Sequence, residues 1–252
     1  MNRIQQLFKK KQENVCSVFV TAGYPKLEST VDVVLDLEAA RVDMIEIGMP
    51  FSDPLADGPT IQKSSLQALK NGMNIPLLFE QIEEIRKTSQ IPIVLMGYLN
   101  PVMAYGLEAF LEKCKDVGVD GLIIPDISLE TYELEYRYLF TQLGVPLTFL
   151  VTPRTSLNRI IRIQNNTETF IYYVSSSATT GRSSNFTEQQ ESAFLQFNEL
   201  KLTVPVLAGF GIHNQETFHT VCKYFNGGII GSAFLRSLEK GQSAKSFVSS
   251  LI

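Results

Sequence analysis

Cysteine and histidine are scarce in this sequence. Its 252 residues hold three cysteines, Cys16, Cys114 and Cys222, and two histidines, His213 and His219. The cysteines are odd in number, far apart and never spaced as CxxC. That argues against a disulfide framework and a cysteine zinc site, and fits a reducing compartment such as the cytoplasm. The histidines are poorly spaced for a metal on one helix and have no Asp or Cys cluster beside them, so no metal is expected. His213 reads better as a helix-start residue than as a catalytic base. No GxSxG offers either histidine a nucleophile to serve, and GxGxxG, Walker and HExxH motifs are absent. Basic excess is lacking too. The net charge is −4, which leaves no electrostatic footprint for nucleic acid. The one basic cluster, Lys9 to Lys11, reads as the solvated end of an amphipathic N-terminal helix. No apolar run reaches the roughly 18 residues that span a membrane, and Met1 to Val15 lacks the apolar core of a secretory signal.

What is present is an alternation. Short runs rich in Val, Ile and Leu predict strands at Val15–Thr21, from Asp43, and at Ile91–Met96, Gly121–Ile124, Leu147–Val151, Phe170–Ser175, Val204–Ala208 and Gly228–Ile230. Between them, helical spacing predicts helices, including Ser29–Ala40, Pro76–Lys87, Leu107–Val117, Leu129–Gln142, Leu157–Gln164, Glu188–Lys201 and Gln215–Tyr224. Two more are expected: one over Asn2–Gln12 and a short one over Ile61–Leu69. The strands mostly lack polar alternation, as strands buried on both faces do. Eight βα units in about 250 residues predict an α/β fold. It is a closed (β/α)8 TIM barrel with an extra N-terminal helix and a short extra helix after the strand-2 loop. No linker or composition break interrupts residues 1–252, so one domain is expected.

The special residues gather just after the strands, the face that carries the active site in such barrels. Asp43 to Gln62 is the richest stretch. Its strand part sets Ile45 and Ile47 on one side and Met44, Glu46 and Gly48 on the other. Its loop part holds Pro50, Asp53, Pro54, Asp57 and Pro59, and prolines stiffen it. An unpaired carboxylate inside a barrel is costly and its pKa should rise, which suits Glu46 to acid/base work. The bland alternative is a glutamate paired with a buried cation. Asp53 and Asp57 are either loop carboxylates with a role or caps for the next helix. Asp126 is open between capping and a partner contact. Gly209-Phe210-Gly211 and Gly231-Ser232 follow strands seven and eight, where barrels often hold phosphate on backbone N–H groups. Glycine placement alone also allows an isomerase of sugar or ribosyl phosphates. The hydroxyl-rich Ser175 to Gly181 reads either as a mobile cover, favoured by its place on this face, or simply as a solvated loop.

Glu46-Ile-Gly48 followed by Pro50-Phe-Ser-Asp-Pro-Leu-Ala-Asp-Gly-Pro-Thr-Ile-Gln62 resembles the signature of the tryptophan synthase α chain family. Phe19 to Pro25, Gly118 to Gly121, Pro125-Asp126, Gly209 to Ile212 and Gly231 to Ala233 support it along the chain. The resemblance implies retro-aldol cleavage of indole-3-glycerol phosphate to indole and glyceraldehyde 3-phosphate in tryptophan biosynthesis. Glu46 would protonate the leaving ring carbon and help remove the glycerol hydroxyl proton. Asp57 would hold the indole N–H. Tyr172 would lie near the glycerol phosphate, although position alone makes it a core aromatic. Gly181, Phe210, Gly211, Gly231 and Ser232 would surround the phosphate. Thr180 would hold Asp57 when the cover shuts. Pro50 and Asp53 would face a β chain in an α2β2 tetramer. Pyridoxal phosphate is expected in that β partner and no cofactor in this chain. One departure stands out. Where the family commonly reads Ser-Arg-x-Gly-Val-Thr-Gly, this chain has Ser176 in place of the arginine and Ala178 in place of the glycine. Alanine takes positive φ only at a cost, which predicts a cover that closes differently. The alternative is therefore a catalytically weak α chain kept mainly to activate the β chain.

Overall fold

The structure is a computed structural model, and residues 1–175 and 186–252 are described. Nine strand segments form one parallel sheet: β1 (Val15–Thr21), β2 (Met44–Gly48), β3 (Ile93–Met96), β4 (Gly121–Ile123), β5 (Leu147–Thr148), β6 (Leu150–Val151), β7 (Ile171–Val174), β8 (Val206–Gly209) and β9 (Gly227–Ile230). Their order is β5-β4-β3-β2-β1-β9-β8-β7-β6. β5 and β6 follow one another in the chain, so the run of neighbours closes into a (β/α)8 barrel. The fifth strand, expected as one piece, is broken at Phe149. Leu147 and Thr148 pair with β4, and Leu150 and Val151 pair with β7. The segment changes neighbour there, and the Phe149 carbonyl still accepts from the Tyr172 N–H at 3.0 Å.

The helices are α1 (Arg3–Lys10), α2 (Ser29–Ala39), α3 (Pro59–Lys70), α4 (Ile75–Arg86), α5 (Leu99–Tyr105), α6 (Leu107–Val117), α7 (Leu129–Thr131), α8 (Arg137–Leu143), α9 (Leu157–Asn166), α10 (Glu188–Asn198), α11 (Gln215–Cys222), α12 (Ser232–Glu239) and α13 (Ala244–Ser249). A π-helical turn, Tyr132–Tyr136, joins α7 to α8. α5 is a helix that the strand–helix alternation did not predict. Pro101 sits in its first turn, where no intrahelical N–H bond is lost. Asp126, in the loop after β4, accepts from the Leu99 N–H at 2.9 and 3.1 Å. Asp126 is thus a capping group, and it remains exposed.

Two apolar layers result from the alternation of strand side chains. The outward set, with Ile45, Ile47, Leu95 and Ala208, packs under the helices. The inward set, with Val15, Met44, Val94, Ile123, Phe170, Tyr172, Leu207 and Ile229, fills the barrel, and Ile4 and Phe8 of α1 plug its lower end. The capping box of Asn2 and Gln5 starts that helix. Beside the plug, Asp120 is 3 % exposed. Arg3 and Arg86 reach it at 3.1 and 2.9 Å, and the Ile93 N–H donates to it at 3.0 Å. No helix among the described residues is long and apolar enough to cross a membrane.

Candidate active site

Glu46 lies on β2 with its side chain inside the barrel, and it is 0 % exposed. No cation pairs with it among the described residues, so the bland reading of a paired glutamate fails. Among the described residues its one partner is the Ser17 hydroxyl, which donates to Oε1 at 3.5 Å, while Oε2 is buried and has no partner there. Burial raises the Glu46 pKa to about 8, the Ser17 bond opposing that rise. The group is therefore mainly protonated at neutral pH.

Tyr172, on β7, lies within electrostatic reach of both Glu46 and Asp57. Burial, then these two carboxylates, hold its pKa well above the ordinary tyrosine value, so its hydroxyl stays protonated and able to donate. Gly209 makes room for it. A Cβ at Gly209 would lie 2.3 Å from the Tyr172 hydroxyl.

Asp57 belongs to the loop between β2 and α3. The loop is pinned rather than loose. The Phe51 N–H donates to the Ser65 hydroxyl at 2.9 Å. The Ala56 N–H donates to the Tyr98 hydroxyl at 2.9 Å, and Gln62 Nε2 donates to the Asp57 carbonyl at 2.9 Å. Neither loop aspartate caps α3, because its N-cap is Gly58 with no side-chain bond. Burial raises the Asp57 pKa to about 6, and a hydrogen bond from Tyr98 works against that rise. Asp53 is exposed and accepts from the neighbouring Ser52 hydroxyl. Next to it, Leu55 is 93 % exposed, and Pro50 is half-buried.

A cavity of about 810 Å³ is lined in part by Asp57, Tyr172, Phe210, Gly211, Gly231 and Ser232, while Glu46 is not among its lining residues. That volume is ample for a small organic substrate. Its far end is built from backbone. Phe210 and Gly211 take φ of 70° and 79°, a turn that glycine accepts readily and phenylalanine only when its surroundings hold it. Gly231 starts α12 with no side-chain cap, so first-turn N–H groups are left for an incoming anion. A Cβ at Gly231 would meet only ordinary contacts, the nearest 3.5 Å away. Packing therefore does not demand this glycine, and its missing side chain leaves space toward the cavity.

Sequence reasoning missed Arg236, which lines the same cavity and donates to the Thr60 hydroxyl at 3.4 Å. Its place one turn after Ser232 was the available signal. His213 also lines the cavity. The cap of α11 is Asn214, one residue on, so His213 is not the capping residue. Its Nδ1 lies 2.8 Å from the Gly211 carbonyl, an oxygen that can only accept. Thr180 and Gly181, and the departures at Ser176 and Ala178, lie outside the described residues.

Fold and site together define a (β/α)8 barrel with a protonated carboxyl buried in its interior and a cavity lined by Asp57, Tyr172 and the glycine turns after β8 and β9. Comparison with known proteins makes this specific. The family model described as tryptophan synthase alpha chain matches residues 5–251, and the chain belongs to that family. It is 50% identical to the tryptophan synthase alpha chain of Flavobacterium psychrophilum, with 100% of both chains covered. It is 46% identical to that of Bacteroides thetaiotaomicron, over 95% of this chain and 94% of the relative. Among solved structures, the alpha chain of Legionella pneumophila superposes with a TM-score of 0.88 at 29% identity, covering 100% of this chain and 96% of that one. The A-subunit from Pyrococcus furiosus gives 0.86 at 32% identity, covering 96% and 98%.

Proposed function

We propose that this chain cleaves indole-3-glycerol phosphate to indole and glyceraldehyde 3-phosphate, as the α subunit of a tryptophan synthase in tryptophan biosynthesis. The observation that carries the reading is the buried, mainly protonated carboxyl of Glu46 within electrostatic reach of Tyr172, which with Asp57 and the turns at Phe210, Gly211, Gly231 and Ser232 lines one cavity. Glu46 gives its proton to the indole ring carbon that bears the glycerol chain, and the ring becomes cationic. Asp57, charged above pH of about 6, accepts from the indole N–H and stabilises that cation. The adjacent hydroxyl of the glycerol chain then loses its proton toward the Glu46 carboxylate. Its electrons form the aldehyde carbonyl, and the carbon–carbon bond breaks to restore neutral indole. Glu46 regains a proton, so the step is balanced without any other reactant. Tyr172 borders the glycerol portion as a hydrogen-bond donor. Phe210, Gly211, Gly231 and Ser232 enclose the phosphate, and backbone N–H groups there hold it.

The chain itself needs no cofactor in this scheme. The second half-reaction belongs to a pyridoxal-phosphate-dependent β chain in a cytoplasmic α2β2 assembly, which receives the indole. A solved relative from Pyrococcus furiosus at 32% identity is described as a tryptophan synthase complex, and the outward side chain of Leu55 beside Asp53 offers such a partner an apolar contact.

Indole release from indole-3-glycerol phosphate, measured with the β chain present, tests the proposal. Wild-type protein should turn over with a kcat/KM that is bell-shaped in pH. Its rising limb lies near 6, where Asp57 gains charge, and its falling limb near 8, where Glu46 loses its proton. Glu46→Gln should lower kcat by about a thousandfold or more. Turnover by the variant at the wild-type rate would reject the proposal.

A further inference from the structure

Ser17 is polar, wholly buried, and enclosed in the apolar interior of a barrel. Such a hydroxyl requires a reason. It sits on β1 in register with Met44, while Phe19, two residues on, is level with Glu46. Its side chain thus comes to Glu46 from one layer below. Like Glu46, it is wholly buried and does not line the cavity; it lies a layer deeper than Glu46 and reaches the site through it. What it touches is Oε1 of Glu46, at 3.5 Å. Among the described residues the other carboxyl oxygen has no partner.

We propose that Ser17 is a positioning residue for Glu46: its hydroxyl holds Oε1, so that Oε2 is the oxygen that carries and transfers the proton. The inference rests on the reading of Glu46 as the proton-transfer group and adds which oxygen acts and what orients it. An O–H that donates to Oε1 leaves the acid proton no good place except Oε2. When the proton departs, the bond from Ser17 becomes charge-assisted and strengthens. Ser17 therefore favours the carboxylate and sets how readily the proton is given. Few other groups compete for this role. The register neighbours on β1 and β3 are Phe19 and Val94, both apolar. Among the described residues, the titratable group close by is Tyr172 from β7, with Asp57 beyond it. Tyr172 keeps its proton throughout the working pH range.

Ser17→Ala and Ser17→Thr, each assayed with the β chain, separate positioning from mere filling of space. Ser17→Ala should lower kcat about tenfold with little change in KM, because the acid is less well aimed. It should also move the falling limb of the pH profile upward by about half to one unit, because the carboxylate has lost its donor. Ser17→Thr keeps the hydroxyl and should keep the wild-type limb. A limb that stays in place in Ser17→Ala, or equal behaviour of the two variants, would overturn the proposal.

A second readout needs no turnover. The carboxyl C=O infrared band present in wild type and missing from Glu46→Gln should titrate at higher pH in Ser17→Ala. An unchanged midpoint would count against Ser17 even if the protein released no indole. A wild-type protein that released no indole while this midpoint shifted would instead count against the proposed reaction alone.

Discussion

Asp120 and Glu46 lie toward opposite ends of one barrel, both out of reach of water, and the chain treats them in opposite ways. Asp120, just ahead of β4, receives two guanidinium groups and the backbone N–H groups of Arg3 and Ile93. Among the described residues Glu46 receives one long hydroxyl contact and its other oxygen has no partner. A buried charge that is fully paired ties elements together, here α1 and α4 to the lower rim. A buried acid that is barely paired keeps its proton and stays ready to give it. The difference teaches where each end of the barrel spends its polarity: on cohesion below and on reactivity above.

That contrast is most sharply tested through stability, where the two sites should respond with opposite signs. Asp120→Ala leaves Arg86 buried without its partner and should destabilise the fold by about 3–5 kcal/mol, read by denaturant unfolding. Glu46→Gln should stabilise it, with a gain that depends on pH. The folded-state pKa of Glu46 is raised from 4.5 to about 8. Its contribution to stability is then fully present below the unfolded value of 4.5 and is lost as pH rises through about 8. The variant carries no proton to lose. Its advantage over wild type should grow across that window to a few kcal/mol. Equal stability of wild type and Glu46→Gln at pH 9 would show that Glu46 is better solvated than its burial implies.

The next effect concerns the space between the two carboxyls of the upper end. Gly209→Ala would drive a methyl into the Tyr172 ring, whose nearest atoms lie 2.3 Å from the added Cβ. The ring cannot retreat, since the barrel interior is close-packed. The expected loss is about one to two orders of magnitude in kcat/KM, with about 1–3 kcal/mol of stability. Restoration of activity by Tyr172→Phe in the same chain would show that the displaced hydroxyl, rather than the ring, was the obstacle.

How much of this was legible beforehand follows from the range of the interactions. The barrel was, because strands buried on both faces write themselves as continuous apolar runs, and Glu46 stood out against that background. Its register, which aims Met44 and Glu46 inward, follows from simple alternation. The break at Phe149 was not legible, because a change of neighbour is set by strands about 25 residues away on either side. α5 was missed as well, although its proline is harmless in a first turn. Ser17 looked like one small residue in a strand, and its meaning appears only when β1 and β2 are side by side. Arg236 likewise gains its meaning from Thr60, 176 positions earlier.

The smallest effect distinguishes the loop carboxylate from the strand carboxylate. Asp57 owes part of its charge at neutral pH to the hydrogen bond from Tyr98, which opposes the upward pull of burial. The Tyr98 hydroxyl also accepts from the Ala56 N–H at 2.9 Å, so a single phenol both orients the loop and eases the ionisation of its aspartate. Tyr98→Phe removes both bonds but keeps the ring against Phe51, whose centroid is 5.4 Å away. The rising limb of kcat/KM should move up from about 6. Activity at pH 6 should fall about threefold to tenfold, while the difference from wild type narrows toward pH 8. The falling limb, which belongs to Glu46, should not move. If both limbs shifted together, the two carboxyls would titrate as one coupled pair, and the division between a reactive floor and a separately tuned loop would fail.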